Sequence, residues 1–204
     1  MNDAPGKYQI IAERLAVDGW VIVPNFVSEE LAQSLRNEAL SLYRDGAFRA
    51  AGVGKGESWK LVPEIRNDQV MWLTKPFSDV QARYLAELEM LRLAINRTLF
   101  LGLWDFEGHY TLYAPGSRYQ RHLDQFNYAK QRRVTCIAYL NDNWRPEDGG
   151  QLRIYLHGEK ETPFLDVLPG SGTLACFLSD GFYHEVLPAT RERLSVTGWF
   201  RTRE

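Results

Sequence analysis

Cysteine is scarce in this sequence, and long apolar runs are absent from it. The two cysteines among 204 residues, Cys136 and Cys176, both lie in apolar strand-like runs. This placement predicts small buried hydrophobes rather than a disulfide or a metal thiolate. No stretch approaches the roughly 20 apolar residues that a membrane span requires, and "MNDAPGKYQIIAERL" has neither the basic start nor the apolar run of a signal peptide. We therefore expect a cytoplasmic protein without a membrane partner.

An excess of charge of either sign is missing as well. The 24 lysines and arginines nearly balance the 26 acidic residues, which gives a net charge of -2. No global attraction to nucleic acid is therefore expected. Internal repeats and low-complexity linkers are also lacking, which argues against a repeat array or a second domain. With 45% hydrophobic residues, the chain can bury one sizeable core, and we expect a single domain over residues 1–204.

Helical periodicity dominates residues 1–108, after a short strand in "WVIVPNF". Ser28 can cap one helix, because its side chain can accept a hydrogen bond from a free N–H group of the first turn. Ser78 can cap a second helix, where Gln81 would complete a capping box. Each helix has one apolar stripe, so both are predicted to pack against a sheet. The stripes are Leu31, Leu35, Ala39 and Leu42 in the first helix, and Val80, Tyr84, Leu88, Leu91, Ile95 and Leu99 in the second.

The stretch between these helices, "RAAGVGKGESWKLVPEIRND", is rich in glycine and charge and has little periodicity. Gly52, Gly54 and Gly56 permit many backbone conformations, so a loop or loose hairpin is predicted. Two interpretations remain open for residues 49–66. They form either an ordinary surface connection or a lid that closes over a substrate.

Residues 109–204 read as about eight short strands separated by turn signals such as "APG", "EDGG" and "LPGSG". Many short strands of this kind are typical of a jelly roll or a related small barrel. In the last strand Leu194, Val196 and Phe200 share one face, while a polar row that includes Arg193 occupies the other. The predicted fold is mainly β with α: a jelly roll buttressed by N-terminal helices, with the polar row facing a wet cavity.

The stretch "RYQRHLDQF" places His122 and Asp124 two positions apart, so on a strand they project side by side. Two imidazoles and one carboxylate form the facial triad of non-haem Fe(II) oxygenases. Of the four histidines, His184 in "GFYHEVLP" is the best second imidazole, because a jelly roll brings late strands beside early ones. His109 and His157 are expected to be exposed surface residues.

Arg193 follows His184 by nine residues and belongs to the polar row of the last strand. A guanidinium group is permanently charged and can hold a carboxylate through two parallel hydrogen bonds. Tyr139, on the strand face shared with Thr135 and Ile137, could add a hydroxyl. These residues predict an anchor for the far carboxylate of a 2-oxo acid that chelates the metal.

The segments "YAPGSRYQRHLD", "RRVTCIAYLNDNW", "GGQLRIY" and "HEVLPATRERLSVTGWF" together resemble the 2-oxoglutarate- and Fe(II)-dependent prolyl 4-hydroxylases. They are most similar to the enzymes that act on the hypoxia-inducible transcription factor. The resemblance reaches back through "RNDQVMWL" to "DGWVIVPNF" and so covers nearly the whole chain.

The resemblance implies a double-stranded β-helix core in residues 109–204, with residues 1–108 as helical support and substrate loop. It implies Fe(II) on His122, Asp124 and His184, and the distal carboxylate of 2-oxoglutarate on Arg193 and Tyr139. The other implied contacts to the cosubstrate are Tyr113, Ile137, Leu152, Val186, Thr197 and Trp199. The expected contacts to the substrate are Trp59, Arg66, Arg132 and Trp199.

The implied reaction is 4-hydroxylation of a prolyl residue in a protein, with 2-oxoglutarate and O2 converted to succinate and CO2. Ascorbate is the expected reductant. The chain ends four residues after "GWF", without the C-terminal helical extension of the animal enzymes, which predicts a compact bacterial homologue. Because proteins of the translation machinery are frequent targets of the wider superfamily, a translation factor is the expected substrate.

Two other enzyme classes remain open. A hydroxylase of a small molecule or free amino acid would keep the same iron and cosubstrate residues, but it would close its cavity around a smaller ligand. A zinc hydrolase could use the same two histidines and aspartate, yet it would not need Arg193 at the rear of a pocket. Consumption of 2-oxoglutarate separates the second class from the oxygenases.

Overall fold

The computed structural model describes residues 6–54, 59–125, 130–158 and 163–203. Its helices lie almost entirely in the first half of the chain, as the periodicity predicts. They are α1 (Lys7–Asp18), α2 (Glu29–Arg44), α3 (Asp79–Leu99) and a short 3-10 helix (Pro146–Asp148). The two predicted serine caps are confirmed, since Ser28 Oγ accepts from the Leu31 N–H at 3.3 Å and Ser78 Oγ accepts from the Gln81 N–H at 3.1 Å. The predicted capping box is wrong, because the Gln81 amide instead donates to Glu38 at 2.6 Å.

The larger of two sheets has seven strands, and all neighbours in it are antiparallel. Strands are numbered in chain order. Their spatial order is β1 (Trp20–Val23), β9 (Leu174–Leu178), β6 (Arg132–Tyr139), β11 (Arg193–Thr202), β4 (Leu103–Tyr113), β3 (Gln69–Trp72) and β2 (Arg49–Ala50).

The smaller sheet has four antiparallel strands. Their spatial order is β5 (Tyr119–His122), β10 (His184–Val186), β7 (Leu152–Tyr155) and β8 (Phe164–Val167). Side chains of both sheets form a common apolar cluster, in which Ile137 and Phe177 of the larger sheet are grouped with Leu152 and Ile154 of the smaller one. This arrangement confirms the predicted jelly roll.

The helices cover the outer face of the larger sheet. Their buried residues, such as Leu35, Tyr84 and Leu88, form one core cluster with Leu194, Val196 and Phe200 of β11. The opposite face of β11 carries Arg193, Ser195, Thr197 and Trp199, as the alternation predicts. The last strand therefore separates a helix-covered core from the space between the sheets.

All eight strands predicted in residues 109–204 are present, although their ends differ by a few residues. Four elements were not predicted: α1, β2, β3 and the short 3-10 helix. Strand β4 also begins at Leu103, six residues before the predicted start at His109. Asp124 lies just beyond β5 rather than in a strand.

Cys136 and Cys176 are buried free thiols, as predicted. They are partners in the register of β6 and β9, and their Sγ atoms are 3.6 Å apart, well beyond the roughly 2 Å of a disulfide bond. His157 is exposed, also as predicted. Among the described residues, no helix combines the length and apolar character that crossing a membrane would need.

Candidate active site

Two histidines and an aspartate meet at one end of the smaller sheet. His122 Nε2 lies 3.6 Å from Asp124 Oδ1, and His184 Nε2 lies 3.5 Å from Asp124 Oδ2. One potential ligand atom from each residue lies within 4.8 Å of those of the other two. The structure thus brings together the three side chains that the sequence singled out as metal ligands.

Strand pairing and backbone hydrogen bonds orient the two imidazoles. His122 of β5 and His184 of β10 are direct partners in the antiparallel register. His122 Nδ1 lies 2.7 Å from the Gln120 carbonyl oxygen, and His184 Nδ1 lies 3.1 Å from that of Phe182. A carbonyl oxygen only accepts, so each Nδ1 carries a proton, and Nε2 is the nitrogen of each ring that lies beside Asp124.

The charges of the cluster suit a divalent cation. Burial by itself would raise the pKa of the Asp124 carboxyl, but His184 and His122 outweigh it and hold that pKa well below its usual range. Burial, assisted by His122, lowers the pKa of His184 to about 4. Thr135 Oγ1 also donates to Asp124 Oδ2 at 2.8 Å and fixes the carboxylate. The donor set at neutral pH is one carboxylate with a neutral His184.

Arg193 and Tyr139 provide a second polar site on the larger sheet. The Arg193 side chain is buried, and its Nε donates to the Gly150 carbonyl oxygen at 2.8 Å. Its Cζ lies 5.1 Å from the ring centroid of Tyr113 and 5.0 Å from that of Tyr139. Within the described part of the chain, neither Arg193 Nη2 nor the Tyr139 hydroxyl has a hydrogen-bond partner.

Two enclosed donors without partners indicate a missing acceptor, because unsatisfied buried polar groups cost about 1–3 kcal/mol each. Burial raises the pKa of Tyr139 to about 12, with the positive charge of Arg193 acting in the opposite direction, so the phenol is protonated and can donate. A carboxylate would satisfy both groups. The residues present therefore fit Fe(II) at the histidine–aspartate cluster and a 2-oxo acid whose far end reaches Arg193.

A single cavity of about 380 Å³ connects the two sites. It is lined by every residue that the sequence analysis assigned to iron, cosubstrate or substrate, except Tyr139, which lies behind Arg193. The assigned residues in its wall are Trp59, Arg66, Tyr113, His122, Asp124, Arg132, Ile137, Leu152, His184, Val186, Arg193, Thr197 and Trp199.

Arg132 lies over Trp199 in this wall. The guanidinium carbon is 3.5 Å from the indole ring centroid, and Nε donates to Glu107 at 2.8 Å. Arg201 holds the same carboxylate through a 2.8 Å bond. Arg201 is also bound by both carboxylate oxygens of Asp105, at 3.0 and 2.6 Å. Two carboxylates therefore compensate the two guanidinium charges, and Arg132 positions the indole more than it attracts an anion.

Arg66 is also paired within the protein. Its guanidinium group donates to both carboxylate oxygens of buried Asp68, at 2.8 and 2.5 Å. Its Cζ also lies 4.2 Å from the ring centroid of Tyr119. Asp68 and Tyr119 were missed by the sequence analysis, although the arginine and aspartate two positions apart in "RND" are a detectable signal.

The segment between α2 and β3 begins as a hairpin, which agrees with one of the two predicted conformations. Val53 and Lys60 form a β-bridge with two backbone hydrogen bonds of 2.9 Å. Half-exposed Trp59 folds back over Gly52, so a Cβ atom there would lie 2.4 Å from the indole. Lys55 and Gly56, part of the proposed lid, lie outside the described residues.

His109 contradicts the expectation of an exposed surface histidine. Only 4% of the residue is exposed, and it lines the cavity. It lies against Trp72 and Trp199, with ring centroids 4.7 and 5.6 Å apart. The expectation failed because β4 begins six residues before His109 and because β3, which was not predicted, covers it with Trp72.

Comparisons with known proteins agree with this geometry. Residues 108–201 match the model of the 2OG-Fe(II) oxygenase superfamily. The chain is 31% identical over 191 residues to mouse Egl nine homolog 1, covering 89% of this chain and 46% of that protein. It thus spans about half the length of this curated relative.

Two solved structures are similar along nearly the whole chain. A Pseudomonas putida prolyl-4-hydroxylase is 42% identical with a TM-score of 0.86, and the match covers 97% of this chain and all of that one. A prolyl hydroxylase from Trichoplax adhaerens, solved with a hypoxia-inducible-factor peptide, is 26% identical with a TM-score of 0.84 and coverages of 95% and 88%. The chain therefore belongs to the 2OG-Fe(II) oxygenase superfamily, enzymes whose cofactor is iron(II) and whose cosubstrate is 2-oxoglutarate.

Proposed function

We propose that this protein is a dioxygenase that hydroxylates a prolyl residue at position 4 in a protein substrate. The observation that carries the proposal is the pairing of two sites in one cavity: the histidine–aspartate cluster, and the enclosed Arg193 and Tyr139 donors without partners. The likeness to a bacterial prolyl-4-hydroxylase over both chains supports prolyl chemistry.

His122, Asp124 and His184 would hold Fe(II), each through one atom. Thr135 and the carbonyl groups of Gln120 and Phe182 act as positioning partners, because their hydrogen bonds fix the ligating side chains. When bound, iron supplies the oxidative chemistry that couples decarboxylation of 2-oxoglutarate by O2 to hydroxylation, with succinate and CO2 as products.

Arg193 and Tyr139 would bind the distal carboxylate of 2-oxoglutarate, and Tyr113 would contact the cosubstrate nearer the metal. The apolar wall of this part of the cavity excludes water from the acid chain. The apolar residues of this wall are Ile137, Leu152 and Val186. Thr197 and Trp199 of β11, the strand next to that of Ile137, complete it.

The substrate peptide would enter beside Trp199, with Trp59, Arg66 and Arg132 around it. The hairpin that carries Trp59 supplies a closing element over the cavity. Since Arg66 and Arg132 are paired with carboxylates inside the protein, we expect them to contact the peptide through planar faces and stacked rings rather than by attracting an acidic sequence.

The deciding experiment incubates the purified full-length enzyme with Fe(II), 2-oxoglutarate, ascorbate and a cell extract, then maps added oxygen atoms by peptide mass spectrometry. We expect one added oxygen on a proline of one protein, and 4-hydroxyproline after hydrolysis. The control is the Asp124→Ala variant, which should add none.

Other outcomes identify the rival classes. Succinate formation without any oxidised protein would favour a small-molecule or amino-acid hydroxylase. Failure to consume 2-oxoglutarate under any condition would contradict the proposal and favour a zinc hydrolase. We further propose that the target is a translation factor. We also propose that the enzyme acts in the cytoplasm and forms a single domain over residues 1–204. The extract experiment tests the identity of the target directly.

A further inference from the structure

His109 lines the same cavity as the candidate metal ligands and Arg193. In the register of the larger sheet, Tyr113 pairs with Arg193 and His109 pairs with Thr197. His109 is therefore four residues from the cosubstrate anchor, about 13 Å along the strand at 3.2–3.4 Å per residue. Its other strand neighbour is Trp72, which is 43% exposed and marks the side that opens to solvent.

The hydrogen bonds of His109 indicate which nitrogen carries its proton. Nδ1 lies 2.9 Å from Thr111 Oγ1, and this is the only hydrogen bond of the Thr111 hydroxyl to a described residue. Thr111 is 2% exposed, so its hydroxyl hydrogen would be left without an acceptor if Nδ1 were protonated. Donation from Thr111 to Nδ1 satisfies both groups and places the imidazole proton on Nε2.

The ring is uncharged at neutral pH. Burial and the nearby positive charge of Arg66 lower the pKa of His109 to about 4, with Asp68 acting in the opposite direction and Arg132 adding to the decrease. Trp72 and Trp199 enclose the ring with apolar surface. The Nε2–H group is thus a neutral donor in a mainly aromatic wall of the cavity.

We propose that His109 is a specificity-determining residue whose Nε2–H donates a hydrogen bond to a backbone carbonyl oxygen of the substrate peptide. The inference rests on the proposed protein hydroxylation and adds the group that recognises the peptide backbone. A neutral N–H group suits a neutral carbonyl oxygen. A carboxylate would instead bind more strongly to the charged guanidinium group of Arg193. The aromatic neighbours would pack against the apolar ring of the target proline.

Nuclear magnetic resonance tests the protonation state without turnover. The full chain is labelled with 15N-histidine and loaded with zinc(II) in place of iron and with 2-oxoglutarate, and the His109 signals are identified by their loss in His109→Gln. We expect a protonated Nε2 and a bare Nδ1 at pH 7. Thr111→Val should convert this fixed tautomer into a mixture. A protonated Nδ1 in the wild-type protein would overturn the proposal.

Steady-state kinetics test the role in recognition, with a synthetic 15-residue peptide centred on the oxidised proline found in the extract experiment. His109→Leu should lower kcat/KM for this peptide about two- to tenfold, the effect of losing one neutral hydrogen bond. His109→Gln keeps an N–H donor and should recover most of this loss. The KM for 2-oxoglutarate should not change in either variant, and exposed His157→Leu serves as the matched control.

The possible outcomes separate this inference from the proposed function. If a proline is oxidised but His109→Leu uses the peptide like the wild-type enzyme, only the role of His109 is wrong. If His109→Leu raises the KM for 2-oxoglutarate instead, the residue serves the cosubstrate, and the proposal is again wrong. If no proline is oxidised at all, both the proposed function and this inference fail.

Discussion

The ring of Tyr119 stacks on the ring of His122, with centroids 3.6 Å apart and planes inclined by 16°. His122 covers one face of the phenol, so the Arg66 guanidinium, 4.2 Å from the same centroid, must cover the other. Arg66 is in turn held by Asp68. A row of four side chains therefore connects the end of the lid segment to a candidate iron ligand.

We predict that Tyr119→Ala weakens metal binding about two- to tenfold, because a stacked aromatic pair contributes about 0.5–1.5 kcal/mol. Tyr119→Phe keeps the stacking and should bind like the wild-type protein. Titration of the metal-free enzyme with Fe(II) without oxygen measures both. Equal affinities in all three proteins would mean that the stack does not position His122.

Removal of any candidate ligand should abolish oxygenation. Asp124→Ala takes away the only carboxylate of the cluster, and His122→Ala or His184→Ala takes away one imidazole. Succinate formation from 2-oxoglutarate measures the loss. Asp166→Ala, on β8 of the same sheet but outside the cavity lining, is the matched control. Normal turnover in a folded ligand variant would remove that residue from the site.

The cosubstrate anchor should depend on the shape of the guanidinium group. Arg193→Lys keeps the charge but loses the forked donors, so we expect the KM for 2-oxoglutarate to rise at least about tenfold, since a hydrogen bond to a charged group contributes about 1.5–3 kcal/mol. Iron affinity should stay unchanged. Tyr139→Phe should have a smaller effect in the same direction.

The control for this anchor is Arg153→Lys, which alters an arginine that is paired with Asp166 outside the cavity lining. An unchanged requirement for 2-oxoglutarate in Arg193→Lys would show that another base binds the distal carboxylate.

The lid segment can be tested at Gly52. A Cβ atom at this position would lie 2.4 Å from Trp59, so Gly52→Ala must displace the indole. We expect a higher KM for the protein substrate with no change for 2-oxoglutarate, because β11 and β6 carry the proposed anchor and this segment does not. Gly170→Ala is the control, because no heavy atom lies within 4 Å of the added methyl group.

Limited proteolysis gives an independent measurement of the same segment. Cleavage after Lys60 should slow when saturating substrate is bound, because Trp59 and its neighbours would be held over the peptide. Equal cleavage rates with and without substrate would contradict a closing lid and favour a small-molecule substrate.

Acid should destabilise the protein partly through His109. Its pKa is about 4 in the folded chain and 6.5 in the unfolded one, so the unfolded state binds the proton first as pH falls. The contribution of the uncharged His109 to the free energy of unfolding is complete above pH 6.5 and is lost as the pH falls from 6.5 to 4. From pH 7 to 5, His109→Gln should therefore lose about 2 kcal/mol less unfolding free energy than the wild-type protein.

Denaturant titrations at the two pH values measure this difference. His157→Gln, an exposed histidine, should behave like the wild-type protein. An identical pH dependence in His109→Gln and the wild-type protein would mean that the imidazole is not kept neutral by its surroundings.

The alternation of side chains along single strands could be predicted from the sequence. It separated Leu194, Val196 and Phe200 from the polar row of Arg193, and it identified His122 and Asp124 as neighbours. In β11, spacings of two residues place these side chains on a common face of the extended backbone. Asp124 lies just beyond the end of β5, yet its carboxylate still lies 3.6 Å from His122 Nε2. The ligand cluster followed because only four histidines had to be considered.

Contacts between distant segments could not be predicted in this way. The position of His109 depends on Trp72 of β3, and the stack on His122 depends on Arg66 and Asp68 in the preceding segment. The sequence of β3 has no strong alternation of apolar and polar residues. A four-residue strand near the edge of a sheet is specified mainly by the strand it pairs with, and that strand is distant in the sequence.

The sequence by itself determined the jelly roll, the cluster of two histidines and an aspartate, and the polar row that includes Arg193, because local periodicity and a few rare residue types specify them. Only the tertiary structure decided that His109 lines the cavity, that Arg66 and Arg132 are paired inside the protein, and that Trp59 rests on Gly52. These facts depend on which strands become neighbours and how closely they pack, and no single segment of the chain contains that information.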